Sequence, residues 1–250
     1  MFRPRIIPVL LLKGSTLVKS RQFQDYRYIG DPINAVRLFN DMRADELAFF
    51  DILATHEGRS ASLDLIKKIG EEANMPFAVG GGVRTITDIQ AIIGAGAEKV
   101  VVGTAAATDP DFIREASRSF GASTIAVCMD VRGQTPDTSR VWVTNARVAT
   151  QNNPVEFARL MQEAGAGELI VQSVERDGMM NGYDIGLVRR IAETVTIPVV
   201  SLGGAGTLEH MRQARNEGHA SALAAGSMFV FHGPKRGVLI SYPERAEIDF

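Results

Sequence analysis

The stretch MPFAVGGGVRT at residues 75–85 recurs as IPVVSLGGAGT at residues 197–207, 122 positions later. In both copies a short apolar run follows a proline and leads into paired glycines, the pattern of a buried strand that enters a tight loop. Further matches in the same register are Glu46 with Glu168, Leu47 with Leu169 and Gly96 with Gly218. We therefore interpret the chain as two similar halves, roughly residues 1–122 and 123–250. A solenoid is excluded because its repeats are much shorter than 122 residues.

Eight short apolar runs alternate with segments of helical periodicity along the chain. The runs are apolar throughout, which is typical of parallel strands covered on both faces. Eight strands alternating with helices over 250 residues predict one (β/α)8 barrel domain, with four strands from each half. A doubly wound open sheet is the alternative that the pattern alone leaves. The predicted strands are Ile6–Leu12, Leu47–Phe50, Phe77–Val79, Val100–Val102, Ile125–Met129, Leu169–Val171, Val199–Ser201 and Ala222–Ala225. The least regular stretch, Arg132–Asn153, is predicted to be a loop after the fifth strand.

Composition excludes several classes of protein. Hydrophobic residues make up 45% of the chain and charged residues 22%, so disorder is not the main state. The net charge of -2 provides no overall basic field for nucleic acid or an anionic membrane surface. The apolar run Ile6–Leu12 is too short to span a membrane, and the single cysteine, Cys128, can form no internal disulfide. We expect a cytoplasmic protein, and the histidines show no metal-ligand spacing, so we predict neither a metal nor a cofactor.

Glycine-rich loops follow four of the predicted strands, where a barrel of this class carries its site. Bare backbone N–H groups at such loops suit a phosphate, and the repeat duplicates them. We therefore predict two phosphate sites and a ligand with a phosphate at each end, although the glycines could merely permit tight turns. The predicted ligand-binding residues are Gly81, Gly82, Gly103, Thr104, Asp177, Gly178, Gly203, Gly204, Gly226 and Ser227.

Asp130 ends the fifth predicted strand and is the candidate general acid or base. A carboxylate on an apolar strand can have a raised pKa, which suits proton transfer near neutral pH. The alternative is that Asp130 caps a helix or anchors a loop. Asp51 ends the second strand in a similar way, and Asp177 could cap, turn or touch a ligand.

Four charged residues stand at or just before the starts of predicted strands one, two, four and six. They are Arg5, Glu46, Lys99 and Glu168. If their side chains point inward, they form a ring of balanced charge at the bottom of the barrel, which is costly to bury unless the charges pair. Such a ring suggests a gate into the barrel interior, whereas outward-facing surface charges are the alternative for each residue taken singly.

Seven short motifs together are highly specific. They are RIIP at 5–8, ADEL at 44–47, THEGR at 55–59, VGGGVR at 79–84, RDG at 176–178, GYD at 182–184 and GGAG at 203–206. Through these motifs the chain resembles the HisF family, the cyclase subunit of imidazole glycerol phosphate synthase. The resemblance extends from Arg5 to about Phe231. The resemblance implies a half-barrel-duplicated (β/α)8 enzyme that takes ammonia from a HisH-like glutaminase docked at the barrel bottom. Arg5, Glu46, Lys99 and Glu168 match the family's ammonia gate.

The resemblance also implies two catalytic aspartates acting on a bisphosphorylated substrate, and only one is present. Asp130 matches the first, but Leu11 occupies the second position, in Val9–Lys13. Leucine can neither carry a proton nor take a negative charge, so we expect a loss of about 10²–10⁴ or more in rate. Gly103 also stands where the family usually has asparagine, and the loop at Thr144–Arg147 lacks the family's glycine pair.

A branch of the family from bacterial surface-polysaccharide pathways is similar at four segments. They are PVLLLK at 8–13, RYIGDPINA at 27–35, LGGAG at 202–206 and the tail at 224–243. This resemblance implies a HisF-like barrel that works with a HisH-like glutaminase and an ATP-dependent sugar amidotransferase to place an amidino group on an N-acetylated nucleotide sugar. Our leading hypothesis is ammonia conduction without cyclase activity. The alternatives are a working cyclase lyase of histidine synthesis and a non-catalytic scaffold that activates the glutaminase.

Overall fold

Eight parallel strands close into a barrel in the computed structural model, which describes residues 3–133 and 135–248. Each strand pairs with its neighbours in chain order, and the last pairs with the first, so the (β/α)8 prediction is confirmed. The predicted domain limits, residues 1 and 250, lie outside the described residues. The barrel strands are β1 Arg5–Lys13, β2 Leu47–Asp51, β3 Phe77–Gly80, β4 Lys99–Val102, β5 Ile125–Arg132, β6 Glu168–Ser173, β7 Val199–Leu202 and β8 Ala222–Ala225.

Helices alternate with the strands and cover the outside of the barrel. Local sequence explains their starts: the Asp31 carboxylate accepts a hydrogen bond from the N–H of Asn34, and Pro32 opens the first helix. Thr85 and Asp88 form a reciprocal capping box at the third helix. The helices are α1 Pro32–Asp41, α2 Leu63–Glu72, α3 Ile86–Gly94, α4 Thr104–Thr108, α5 Pro110–Phe120, α6 Pro154–Glu163, α7 Ile185–Ala192, α8 Leu208–Asn216 and α9 Ser227–Val230. Within the described residues, every helix is too short or too polar to cross a bilayer.

Apolar side chains form two layers because residues of a strand alternate between its faces. The larger layer lies between the helices and the outside of the barrel. The inner layer fills the barrel and contains five alanines, which leave more space than branched side chains would. These alanines are Ala48, Ala78, Ala126, Ala222 and Ala224.

Two antiparallel additions at the top of the barrel were not predicted. β5 continues to Arg132 and pairs with a strand at Arg140–Val143, so the prediction of a loop over Arg132–Asn153 was wrong there. Val141 and Val143 alternate with partly exposed residues, a period-two pattern too short to stand out in the sequence. The second addition is a hairpin of Thr16–Arg21 with Gln24–Gly30, which extends β1 above the barrel.

Candidate functional site

Four charged side chains meet at the bottom of the barrel, and we refer to Arg5, Glu46, Lys99 and Glu168 as the charged ring. The Arg5 guanidinium pairs with both glutamates, one through each terminal nitrogen. Lys99 Nζ lies 3.1 Å from Oε1 of Glu46 and 3.1 Å from Oε2 of Glu168. Each cation therefore bridges both carboxylates, and the ring carries no net charge.

Burial within the ring is uneven. Glu46 and Glu168 are 4% and 6% exposed, whereas about a third of the Arg5 side chain reaches solvent. Burial alone would lower the pKa of Arg5, but attraction to Glu168 and Glu46 outweighs it and raises that pKa above its usual value. The two buried carboxylates thus depend on two cations that remain partly accessible from below.

We expect Glu168→Ala to lower the free energy of unfolding by about 2 kcal/mol, because it leaves two cations to share one carboxylate. This expected loss is smaller than the loss from breaking a fully buried ion pair, because water reaches Arg5. Urea denaturation at neutral pH measures it. The control is Glu193→Ala, which removes an exposed partner of Arg189 and is expected to cost less than about 0.5 kcal/mol. Equal losses in both variants would contradict a stabilising role for the ring.

A small cavity lies inside the barrel, above the ring. A cavity of about 10 Å³ lies among Lys99, Glu168 and the inner alanines and extends to Phe50 and Leu202. Phe50 and Val101 also line the cavity at the mouth of the barrel. The same inner-layer side chains therefore line both the cavity above the charged ring and the cavity at the mouth.

The larger mouth cavity, of about 140 Å³, opens between β1 and the loops after strands β2 to β5. Leu11 lines it, as its position on β1 required, together with Asp130 and Gln172. The predicted ligand-binding residues of this half also line it, namely Gly81, Gly82, Gly103 and Thr104. At Gly82 a Cβ would overlap the carbonyl oxygen of Arg59, so close chain packing requires glycine there whether or not a phosphate binds.

Asp130 is the carboxylate in this cavity whose pKa is most perturbed. Burial, followed by repulsion from Asp177, raises the pKa of Asp130 to about 7. The Cys128 thiol, 3.9 Å away, opposes this shift weakly. Asp130 can therefore exchange a proton near neutral pH, and Gln172 lies beside it in register on β6.

A second mouth cavity, of about 20 Å³, lies on the opposite side and is also lined by Leu11 and Gln172. The remaining predicted ligand-binding residues surround it, namely Asp177, Gly178, Gly203, Gly204, Gly226 and Ser227. Lys19, which sequence reasoning missed, reaches into it and donates to the carbonyl oxygen of Val9. Burial lowers the pKa of Lys19 to about 8, and attraction to Asp177 opposes that shift. A Cβ at Gly226 would meet the Lys19 ammonium, so this glycine makes room for the lysine.

Two further carboxylates near the mouth are engaged in holding loops. Asp51 accepts hydrogen bonds from the N–H groups of Leu53 and Ala54 and pairs with Arg59 at 2.6 Å. Asp177 accepts from the Ser20 hydroxyl at 2.6 Å and thereby ties the hairpin to the loop after β6. Among the residues that the structure describes, no three His, Cys, Asp or Glu side chains converge as metal ligands.

The chain is similar to known proteins along almost its whole length. The family profile described as "Histidine biosynthesis protein" matches residues 5–233. A protein of Pseudomonas aeruginosa, provisionally named imidazole glycerol phosphate synthase subunit hisF2, is 40% identical over 249 residues, which cover 100% of this chain and 99% of the relative. A protein of Leptospira borgpetersenii, provisionally named imidazole glycerol phosphate synthase subunit HisF, is 40% identical over 244 residues, 97% of this chain and 96% of the relative.

Proposed function

The chain belongs to the histidine biosynthesis protein family as a HisF-like synthase subunit, and from this we propose that it conducts ammonia from a HisH-like glutaminase to an ATP-dependent sugar amidotransferase. The glutaminase binds the face around the charged ring, and the amidotransferase receives ammonia at the mouth. In this proposal the chain performs no cyclisation of its own. The end product is an amidino group on an N-acetylated nucleotide sugar for surface-polysaccharide synthesis.

The observation that carries the proposal is the set of carboxylates at the mouth. Among the residues that the structure describes, three carboxylates line the two mouth cavities, namely Asp51, Asp130 and Asp177. Asp51 and Asp177 are held by loop contacts, and Leu11 occupies the position on β1 that would complete a pair with Asp130. A reaction that needs two free carboxyl groups for proton transfer lacks one of them here.

Two features between the bottom and the mouth support conduction as the remaining role. The charged ring is complete, with each cation bridging both glutamates. Above it the inner layer is apolar and rich in alanine, a lining that suits a small neutral molecule and disfavours ammonium because an ion would lose its hydration. At the mouth, Leu11 offers no group to consume ammonia.

We expect Lys99→Met to raise ammonia leakage at least about fivefold, the low end of coupling between two sites. Leakage means the fraction of glutamine-derived ammonia that appears in solvent instead of in product. Methionine has similar length but no charge, so it removes both contacts of Lys99 with the glutamates. The measurement compares glutamate, free ammonia and amidated product in a reconstituted three-protein system, with Lys67→Met at an exposed residue of α2 as the control.

The same assay distinguishes conduction from scaffolding. Unchanged leakage in Lys99→Met with an altered glutaminase rate would favour a scaffold that activates the glutaminase. Product formation that is unaffected when this chain is left out would contradict both roles.

One observation favours the second candidate, a cyclase lyase of histidine synthesis. Asp130 faces the larger mouth cavity with a pKa of about 7, which suits a general acid or base. In that case Asp130 acts with a group other than a second aspartate. Turnover of the bisphosphorylated intermediate with free ammonium separates this candidate from conduction.

A further inference from the structure

The segment after β8 returns along the outside of the barrel to its bottom, and we refer to residues 237–243 as the C-terminal strap. Backbone hydrogen bonds hold the strap against α9: the N–H of Leu239 donates to Val230 at 3.0 Å, and that of Ser241 donates to Phe229 at 2.9 Å. The strap then brings Tyr242 against α1, where its ring meets Phe39 edge to face and stacks at a tilt on Phe229. The tail at residues 224–243, which resembles the surface-polysaccharide branch, therefore ends near the charged ring.

The Tyr242 hydroxyl connects two strand starts. It donates to the carbonyl oxygen of Ile6 at 3.1 Å and accepts from the N–H of Asp45 at 3.2 Å. The Asp45 carboxylate in turn accepts from the N–H of Ile6 at 2.9 Å and pairs with Arg3 at 2.5 Å. Burial raises the pKa of Tyr242 far above its usual range, so the hydroxyl keeps its proton and can donate.

These contacts hold the start of β1 to the residues just before β2, where the described backbone hydrogen bonds between the two strands do not reach. β1 pairs with β2 through Val9–Leu12, whereas Arg5–Pro8 pair with β8 on the other side. At the bottom, the Tyr242 hydroxyl and the Asp45 carboxylate are the described groups that join Ile6 to Asp45. Ile6 directly follows Arg5 of the charged ring, and Asp45 directly precedes Glu46.

We propose that Tyr242 is a positioning residue for the charged ring: its hydroxyl fixes the backbone of Ile6 against that of Asp45 and so sets the separation of Arg5 from Glu46. The inference rests on the proposed function, because its consequence is a closed gate during ammonia transfer. Losing the hydroxyl frees the start of β2, and the gate then leaks. The strap is thus part of the gate although it is distant from it in the chain.

The test is Tyr242→Phe, which keeps the ring that packs on Phe39 and removes only the hydroxyl. We expect amide hydrogen exchange in a peptide covering residues 43–48 to accelerate about fivefold or more, because local opening loses a hydrogen bond. In the three-protein system we expect ammonia leakage to rise above that of the unaltered protein. The control for the exchange measurement is Tyr183→Phe, which removes another buried hydroxyl, bonded at 3.0 Å to the carbonyl oxygen of Ala224 on β8 and not to residues 43–48.

Several outcomes would overturn the inference. Exchange at residues 43–48 that is the same in Tyr242→Phe and Tyr183→Phe would show that the hydroxyl does not hold these backbones. Leakage in Lys99→Met but not in Tyr242→Phe would overturn the inference and leave the proposed function standing, whereas leakage in neither would overturn both. Should Tyr242→Phe fail to fold, Asp45→Ala removes the carboxylate that accepts from the N–H of Ile6, the other described link between these two backbones, and carries the same expectations.

Discussion

Purified protein supplied with ammonium salt is expected to leave the bisphosphorylated intermediate of histidine synthesis unconverted. Free ammonium removes the need for a glutaminase, so the assay tests only the chemistry of the mouth. Leu11 lines both mouth cavities and has no group that could move a proton. Loss of one of two acid–base groups typically costs about 10²–10⁴ in rate. Chromatographic detection of the imidazole product measures the outcome, and clear turnover would favour the cyclase lyase over conduction.

Leu11→Asp is the matched gain-of-function arm of this prediction. It places a second carboxyl beside the cavity that Asp130 faces. We expect ammonium-dependent turnover to rise about 10²-fold over background, the low end of a general acid–base contribution, because other mouth residues also differ from the family. Leu11→Asn, with nearly the same shape but no acid–base group, is expected to show no gain. Equal turnover in both variants would contradict the role assigned to the missing carboxyl.

Asp130→Asn is expected to stabilise the protein by about 2–3 kcal/mol at pH 8 and to change its stability little near pH 4. Burial raises the pKa of Asp130 to about 7 from an ordinary value near 3.8, so the folded protein binds the proton more tightly than the unfolded chain. Asp130 therefore costs the unaltered protein stability increasingly between about pH 4 and pH 7, and fully above pH 7. Asparagine does not titrate and escapes this cost. Because the carboxyl faces the mouth cavity, the gain in stability is smaller than the full pKa shift of Asp130 would give.

The measurement is the free energy of unfolding in urea at several pH values for both proteins. The control for the change in net charge is Asp137→Asn, which alters an exposed carboxyl between β5 and the strand at Arg140–Val143. Its free energy of unfolding is expected to stay within about 0.5 kcal/mol of that of the unaltered protein. Asp177 repels Asp130, so the difference reports the two carboxylates as a coupled pair. A constant difference between Asp130→Asn and the unaltered protein across the pH range would contradict the raised pKa.

Much of the candidate site could be predicted because it depends on strand position. A residue at the start of a strand faces the bottom of a parallel barrel, and one at its end faces the mouth. Arg5 and Glu46 could therefore be assigned to one end, and Leu11 and Asp130 to the other, from the apolar runs alone. Lys19 could not, because it lies on a hairpin outside the eight apolar runs, which contacts the loop after β6 through Ser20 and Asp177.

The roles of the carboxylates divide in the same way. From the sequence, Asp130 was the candidate general acid or base, Asp51 ended a strand in a similar way, and Asp177 could cap, turn or touch a ligand. Contacts across the mouth decide between them. Asp51 is occupied by Arg59 and two backbone N–H groups, whereas among the described residues the side-chain hydrogen-bond partner of Asp130 is the distant Cys128 thiol. These partners come from loop conformations, which hydrophobic periodicity does not encode.

The sequence by itself determined the eight strands that alternate with helices and the charges at the strand ends, because apolar periodicity is a local property. Closure into a barrel, through pairing of the last strand with the first, was decided by the tertiary structure. Only the tertiary structure decided which polar groups remain free. Burial makes an unpaired polar group costly, so each one takes whichever partner the fold brings near, however distant in the chain. Tyr242 reaches Ile6 across 236 positions and Ser20 reaches Asp177 across 157. Such pairings form only once the barrel has closed, because closure brings residues that are distant in the chain into contact.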